Sequence, residues 1–555
     1  MRSVLSLGLV LGLMISTSIG AYGADKGNRP KLVVVLSYDQ MRGDYPSSFA
    51  RFAGSRGFAR VAHDGTWFTK CYYDHATLTT APGHATLLTG CYPWKTGITN
   101  NQLCDTDGLG CVESTHDEEH GESPNHLLVP TVGDVLRKKD PASKVVGVAL
   151  KDRAAIMMSG HRPTAVLWFD TKALRFTSSD YYPSIPWLGE LHSTIVPARW
   201  QGAVWKAGIP TALDPAVDDQ AVEGTMTDGR RTFPYTLPDT SDHEAYAWDY
   251  LRTPYSVRDL FAAATLALKR ERLGRDDHTD ILSIGISSTD VLGHTFGPDS
   301  REVQEMYVAC DSILGSFIDT LDARVGRKNY MLVITADHGV APIPELLQAQ
   351  TVPGRPPVFS GRMKRKELTH ILDSAMSARF QRPGAVWITE VNYPSIYLNT
   401  GALDSMGIGI DAAADAMVDA LRSIPQIAYA VTRRDVLAGR RPVSINVTFF
   451  DRIRRSVHPE RSGDVILYPA QYWIFGSTPA THGTPYDYDR YVPLMVMGGG
   501  FTGSTSDASV APVDIAPTIA RILGLDDFLT GVDGKPLPVS PSNVPKKKRP
   551  ARGRP

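Results

Sequence analysis

Three apolar segments, each followed by an aspartate, constrain the fold of this chain more than any other feature. The segments are residues 31–38, 280–286 and 330–336, and the acids that follow them are Asp39, Asp290 and Asp337. Continuous runs of β-branched and other apolar residues are typical of strands buried on both faces, as in a parallel sheet covered by helices. The three acids are therefore predicted to lie at or just beyond the carboxyl ends of strands.

The segments between these runs have helical patterns, most clearly at residues 256–273 and 300–325. Alternation of strands and helices predicts a doubly wound α/β fold, with a mostly parallel central sheet covered by helices on both faces. In such folds the ligand crevice lies beyond the carboxyl ends of the strands. The three acids should therefore meet in one crevice.

The sheet is predicted to resume at residues 492–497 and to be closed by a helix over 514–525. Segments of different character, at about 155–255 and 360–480, are predicted to be insertions that cap the crevice. The domain as a whole is expected to span residues 24–540.

Composition and the two chain ends favour an exported protein that does not bind nucleic acid. With 58 Lys and Arg against 59 Asp and Glu, the chain of 555 residues has no overall basic charge to attract a nucleic-acid polymer. Residues 1–23 combine Arg2, a short apolar run and small residues, which is typical of a signal peptide cleaved near Gly23/Ala24. The protein is thus expected in the periplasm or outside the cell, with no transmembrane segment in the mature chain. Residues 541–555 are predicted to be a solvated basic tail.

Export permits disulfides, and the five cysteines allow at most two bridges within the chain. Cys104 and Cys111 flank a short glycine-containing loop and are the favoured pair, with Cys71 and Cys91 a less certain second pair.

The acids have histidines near them in a pattern that suits a divalent metal. Asp290 and His294 are four residues apart, which is one helical turn, and His338 follows Asp337 directly. His482 adds a third imidazole from late in the chain. A set of three Asp and three His favours zinc over calcium and leaves manganese or iron open.

These motifs, taken in order, resemble the alkaline phosphatase superfamily. The resemblance is to the phosphate-irrepressible branch with a threonine nucleophile, which is related to nucleotide pyrophosphatase/phosphodiesterases. It rests on Thr-Thr-Ala-Pro-Gly-His at 79–84, Gly-Ile-Thr-Asn-Asn at 97–101, Lys-Asp-Arg at 151–153 and the metal-ligand motifs above. The resemblance implies two zinc ions per chain, one held by Asp290, His294 and His482 and the other by Asp39, Asp337, His338 and the oxygen of Thr80.

The same resemblance implies that Thr80 is the nucleophile and that Asn101 donates to a phosphoryl oxygen. Thr79 and Asn100 are the neighbouring alternatives. In an extended segment Lys151 and Arg153 would point the same way, into the crevice. An Arg fork and a Lys charge suit the dianionic phosphoryl group of a monoester.

The predicted function is therefore hydrolysis of small-molecule phosphate monoesters through a covalent phosphothreonine, with release of inorganic phosphate. One alternative is a phosphodiesterase or nucleotide pyrophosphatase with the same two metals. A second is a catalytically silent ligand-binding module. A monomer is favoured.

Overall fold

A computed structural model describes residues 29–538, apart from 106–107, 211–215, 217 and 351–355. The predicted signal peptide and the predicted basic tail lie outside the described residues. In the part of the chain that is described, no helix is both long enough and apolar enough to cross a membrane.

The core of the molecule is a nine-stranded sheet. In chain order its strands are β1 (Leu32–Tyr38), β2 (Thr66–Cys71), β3 (Val145–Ala149), β4 (Ala165–Asp170), β5 (Arg175–Thr177), β6 (Asp280–Ile286), β7 (Tyr330–Thr335), β8 (Leu494–Met497) and β9 (Ser504–Val510). Their order across the sheet is β9-β2-β8-β7-β1-β6-β3-β4-β5. The central strands β7, β1, β6, β3 and β4 are all parallel, whereas β8 and β5 run antiparallel to their neighbours. The predicted mostly parallel α/β sheet is thus confirmed.

The strands predicted from the apolar runs are buried along their whole length. Every residue of β1, β6 and β7 is buried. Because successive side chains of a strand point to opposite faces, this pattern requires cover on both faces of the sheet. One large apolar cluster, which includes Val34, Leu282, Leu332 and Val496, fills this layer.

Helices flank the sheet. Those that matter for the site are α1 (Thr80–Thr89), α2 (Val132–Lys139), α3 (Asp152–Ser159), α4 (Pro254–Arg270), α5 (Ser288–Phe296), α6 (Arg301–Arg324) and α7 (Ile515–Leu523). Helices α4, α6 and α7 agree with the predicted segments to within three residues at each end.

A second sheet of four strands lies outside the central one. Its strands are Ile388–Asn392, Ser395–Leu398, Ile427–Thr432 and Val465–Pro469, and its main helices are Arg365–Phe380, Ile410–Arg422 and Val447–Arg454. This unit has its own apolar core, which includes Leu368, Trp387 and Met417. It falls within the predicted second insertion. Part of the predicted first insertion, by contrast, forms β4 and β5 of the central sheet.

The favoured disulfide between Cys104 and Cys111 is present. The second predicted bridge is wrong, because Cys71 and Cys91 are both buried free thiols. Cys71 ends β2 inside the main core, whereas the thiol of Cys91 lies 3.9 Å from the carbonyl oxygen of Gly531. The two side chains therefore belong to different packing environments.

Candidate active site

The parallel register of three neighbouring strands brings the predicted acids together. Tyr38 at the end of β1 pairs with Ile286 at the end of β6, and Ser37 pairs with Thr335 at the end of β7. Asp39 and Asp337 therefore leave the sheet at the same edge, and Asp290 lies in the first turn of α5, which follows β6 directly.

Three histidines surround these carboxylates. The Nε2 atom of His338 lies 3.4 Å from Asp39 Oδ1 and 3.3 Å from Asp337 Oδ2. The Nε2 atoms of His294 and His482 lie 3.2 and 3.5 Å from one oxygen of Asp290. All six predicted metal-ligating side chains thus converge on one crevice.

The histidines are also oriented as metal ligands. Each ring places Nδ1 at 2.7–2.9 Å from a backbone carbonyl oxygen, that of Ala480 for His294, Gly339 for His338 and Leu78 for His482. A carbonyl oxygen only accepts hydrogen bonds, so Nδ1 must carry the hydrogen in each case. With Nδ1 as the donor, Nε2 is the ring nitrogen that faces the carboxylates, as in metal sites whose second ring nitrogen is held by the protein.

Several buried polar atoms in this cluster lack a hydrogen-bond partner among the described residues. They are Asp39 Oδ1, Asp337 Oδ2 and His338 Nε2, and all three side chains are fully buried. Burial, and then the charges of Asp290 and Asp337, raises the pKa of Asp39 well above its usual value. Burial also lowers the pKa of His338 to about 3, which keeps the imidazole neutral. Carboxylate oxygens and an imidazole nitrogen that are buried without a partner are unfavourable unless a cation binds them, so this donor set fits divalent metal.

Two groups of ligand atoms, each within 4.8 Å of one another, define candidate metal positions. One is Asp290, His294 and His482, the set that the resemblance implies for the first zinc. The other contains Asp39 and His338 but has Asp290 in place of the expected Asp337. Asp337 lies next to this group, with Oδ2 3.3 Å from His338 Nε2.

Lys151 reaches into the same crevice. Its Nζ lies 2.8 Å from Asp39 Oδ2, 2.6 Å from Asp290 Oδ2 and 3.4 Å from Thr80 Oγ1. The prediction that residues 151–153 form an extended segment is wrong, because α3 begins at Asp152 and only Lys151 has extended backbone angles. Two residues, Leu150 and Lys151, separate the end of β3 at Ala149 from the start of this helix. Arg153 lies in the first turn of α3.

Thr80 is the first residue of α1, and its side chain is almost fully buried. The first turn of a helix leaves backbone N–H groups unpaired, which favours a negatively charged group at this end. The neighbouring Thr79 instead donates its hydroxyl hydrogen to Asn100 Oδ1 at 3.1 Å. Of the two threonines, Thr80 is the one whose oxygen lies beside Lys151 and the carboxylate cluster.

A similar contrast separates the two asparagines. The side-chain amide of Asn100 is fully used, since Oδ1 accepts from Thr79 and from the Asn101 N–H, and Nδ2 donates to Asn392 and to the Tyr393 carbonyl. The Asn101 Oδ1 accepts from Ala81 N at 2.8 Å. Within the described residues no protein acceptor takes the Asn101 Nδ2 hydrogens, which leaves them for a ligand.

Arg153 and Asn101 share an open cleft of about 340 Å³ whose lining is entirely polar. The other lining residues are Asn100, Gln102, Glu113, Asp152 and Asn392. The ten residues proposed from the sequence therefore lie either in the acid and histidine cluster or along this adjoining cleft.

Two side chains that the sequence analysis left without a role also belong to the cluster. Gln40 donates its backbone N–H to Asp337 Oδ1 at 3.1 Å and its Nε2 to Asp290 Oδ1 at 2.8 Å. The Nδ1 of His84 lies 2.9 Å from the carbonyl oxygen of Thr80 as well as close to Asp337. The available signals were the adjacency of Gln40 to Asp39 and the four-residue spacing from Thr80 to His84.

Gly83 is the point of closest approach between the helix of Thr80 and the loop of Asp337. A Cβ atom at Gly83 would overlap the carbonyl oxygen of Asp337. We expect Gly83→Ala to lower the free energy of unfolding by about 1–3 kcal/mol, because backbone must move to relieve this overlap. Chemical denaturation would measure the change.

The matched control is Gly189→Ala, because this helical glycine has open space around its Cβ position. There, alanine should raise stability by up to about 1 kcal/mol through its higher helix propensity. Equal stability of the two variants would contradict the packing argument.

Comparison with known proteins agrees with this geometry. Residues 33–489 match the family model described as type I phosphodiesterase / nucleotide pyrophosphatase. This chain belongs to that family. Among curated proteins, it is 31% identical to alkaline phosphatase PafA of Elizabethkingia meningoseptica, over 95% of this chain and 97% of that protein. It is also 31% identical to alkaline phosphatase PhoV of Synechococcus elongatus, over 89% of this chain and 90% of that protein.

The solved structures give the same relationship. The crystal structure of wild-type PafA superposes with a TM-score of 0.83 at 30% identity, covering 92% of this chain and 98% of PafA. A further PafA structure carries substitutions at one threonine, one asparagine, one lysine and one arginine. Human ectonucleotide pyrophosphatase / phosphodiesterase 5, at 14% identity and a TM-score of 0.51, shares the fold. This family member is thus an enzyme of the alkaline phosphatase superfamily.

Proposed function

We propose that this protein is a metal-dependent phosphomonoesterase that forms a covalent phosphothreonine at Thr80 and releases inorganic phosphate. The observation that carries the proposal is the position of Thr80 Oγ1, at the start of a helix and 3.4 Å from Lys151 Nζ. That same Nζ contacts Asp39 and Asp290, so the hydroxyl lies at the edge of the cation-binding cluster.

The substituted PafA structure supports the choice of side chains. Its threonine and asparagine are separated by the same number of residues as Thr80 and Asn101, and its lysine and arginine by the same number as Lys151 and Arg153. We infer that these four residues of this chain face the phosphoryl group.

In the proposed reaction, the Thr80 oxygen forms a bond to phosphorus while the bond from phosphorus to the ester oxygen breaks. The leaving alkoxide takes up a proton to become the alcohol. Water then attacks the phosphothreonine, restores the hydroxyl of Thr80 and produces inorganic phosphate. Asn101 Nδ2, Lys151 and Arg153 donate to phosphoryl oxygens and hold the group in line with Thr80, and positioning and charge stabilisation are the main needs of phosphoryl transfer.

We assign two zinc ions to the six acid and histidine side chains, since three imidazole ligands favour zinc over magnesium or calcium. Asp290, His294 and His482 would hold one ion, and Asp39, Asp337, His338 and the Thr80 oxygen the other. When bound, the metals would lower the pKa of the threonine hydroxyl and offset charge on the leaving oxygen.

Metal removal gives a direct test of the assignment. After exhaustive chelation we expect loss of at least about 99% of the activity and a fall in Tm of about 5–10 °C, because the buried carboxylates lose their counter-charge. Elemental analysis before chelation should give two zinc ions per chain. Activity should return with zinc and not with magnesium. An active, metal-free protein would contradict the proposal.

A phosphodiesterase or nucleotide pyrophosphatase is the second candidate, because the matching family model carries that description. The experiment that separates the candidates is a kinetic panel on zinc-loaded protein with an aryl phosphate monoester, the matching diester and the matching sulfate ester. We expect the monoester to have the highest kcat/KM. A preference for the diester would make the phosphodiesterase the first candidate and the phosphomonoesterase the second. No turnover of any ester would favour a catalytically silent binding module.

Export from the cytoplasm is also part of the proposal. It is supported by the signal-peptide pattern of residues 1–23 and, independently, by the disulfide between Cys104 and Cys111, a bond that persists mainly in oxidising compartments. Sequencing the amino terminus of protein secreted or released from the periplasm should give Ala24 as the first residue. A mature protein that retains residues 1–23 would contradict this.

A further inference from the structure

A hairpin turn of the second sheet touches two loops of the candidate active site. The strand Ile388–Asn392 is joined to Ser395–Leu398 by a two-residue turn. In this turn, Tyr393 donates its hydroxyl hydrogen to the carbonyl oxygen of Gly483, the residue after His482. The hairpin is anchored in a core of its own, which includes Val391 and Ile396.

Asn392, at the end of the first strand, brackets Asn101 from both sides along the chain. Its Oδ1 accepts a hydrogen bond from Asn100 Nδ2 at 2.9 Å. Its Nδ2 donates to the carbonyl oxygen of Gln102 at 3.0 Å and to the sulfur of Cys104 at 3.3 Å. One side-chain amide thus fixes the residues immediately before and after Asn101.

The hydrogen bonds continue from Asn100 to Asn101 itself. Asn100 Oδ1 accepts from the backbone N–H of Asn101 at 2.8 Å, and its second Nδ2 hydrogen goes to the carbonyl oxygen of Tyr393 at 2.8 Å. The Asn101 side chain is then held from its other end, because Oδ1 accepts from the N–H of Ala81 in the first turn of α1. This leaves Asn101 Nδ2 as the donor with no protein partner among the described residues.

We propose that Asn392 is a positioning residue that acts through Asn100 to hold the Asn101 amide in the orientation that donates to the phosphoryl group. The inference rests on the proposed function, in which Asn101 contacts substrate. Misplacing such a donor by about 1 Å can reduce the rate by as much as about a hundredfold, so a residue that fixes its backbone is expected to matter for catalysis.

A double-mutant cycle tests this role. We expect Asn392→Ala to lower kcat/KM for an aryl phosphate monoester by about tenfold or more. In an Asn101→Ala background the same substitution should change kcat/KM by less than about twofold, because the group that it positions is already absent. If Asn392 contacted substrate itself, or only stabilised the fold, its full effect would persist in that background and the inference would be overturned.

Asn399→Ala is the matched control. Asn399 lies in the same unit, and its Oδ1 accepts from Ala402 N at the start of a helix, so its loss should lower Tm without lowering kcat/KM. Should Asn392→Ala fail to fold, the cycle is repeated with Asn392→Gln, which keeps the amide but displaces it by one methylene. Unchanged activity on replacing Asn392 would reject the positioning role alone. Unchanged activity of Asn101→Ala itself would instead reject the contact of Asn101 with substrate.

Discussion

Replacing Thr80 with alanine should lower kcat/KM for phosphate monoesters by at least about four orders of magnitude, because among the described residues Thr80 supplies the hydroxyl beside Lys151 and the carboxylate cluster. The nearest alternative, Thr79, donates its hydroxyl hydrogen to Asn100 and is the N-terminal cap residue of α1. Thr80→Ser should keep much of the activity, since it retains an oxygen at the first position of the helix. Steady-state kinetics on zinc-loaded protein would measure both variants.

Thr79→Ala is the control for this prediction, with an expected loss of no more than about tenfold from the missing hydrogen bond to Asn100. A single turnover with a ³²P-labelled monoester, quenched in acid, should leave the label on the peptide that contains Thr80. Label on another residue, or activity of Thr80→Ala above about 1% of the natural protein, would reject the phosphothreonine mechanism.

Replacing Lys151 and Arg153 together with alanine should change the preference between monoesters and diesters. We expect kcat/KM for a monoester to fall by about a thousandfold and that for the matching diester by less than about tenfold. Charge-assisted hydrogen bonds are worth about 1.5–3 kcal/mol each, and a monoester dianion has one more unbridged oxygen to receive them than a diester has.

The position of Lys151 means that this experiment needs a control for metal binding. Its Nζ lies within 3 Å of Asp39 and Asp290, so its loss also removes charge from the carboxylate cluster. Metal content must therefore be measured in the double variant. Lys172→Ala, an exposed lysine in the turn after β4, should affect neither ester. If kcat/KM fell equally for the two esters while zinc was retained, the assignment of monoesters as the substrate class would be contradicted.

Much of the fold could be predicted because its signals are local. The runs that became β1, β6 and β7 are mostly apolar, and a strand buried on both faces needs such a composition. The meeting of Asp39 and Asp337 follows from parallel pairing alone, since the carboxyl ends of neighbouring parallel strands share one edge. The mistaken pairing of Cys71 with Cys91 shows the limit, because spacing along the chain does not reveal which core encloses each thiol.

The same contrast between local signals and long-range contacts applies to the residues of the site. The order of the motifs and the types of side chain were sufficient to propose the ligands, the nucleophile and the phosphoryl contacts. The family resemblance favoured Thr80 over Thr79 and Asn101 over Asn100, although neighbours in a chain have nearly the same local signal. The structure separates them by their hydrogen bonds, which consume the amide of Asn100 and leave that of Asn101 open.

The sequence by itself determined the strands that carry the acids, the edge of the sheet at which the acids emerge and the chemical nature of the donors. Only the tertiary structure decided which ring nitrogen each histidine presents, that residues 152–153 are helical, and that Asn392 from a separate sheet reaches the loop of Asn101. The physical reason is one of range. Strand burial is encoded within a few residues, whereas the orientations of His294, Asn100 and His482 depend on partners that lie 186, 292 and 404 residues away along the chain.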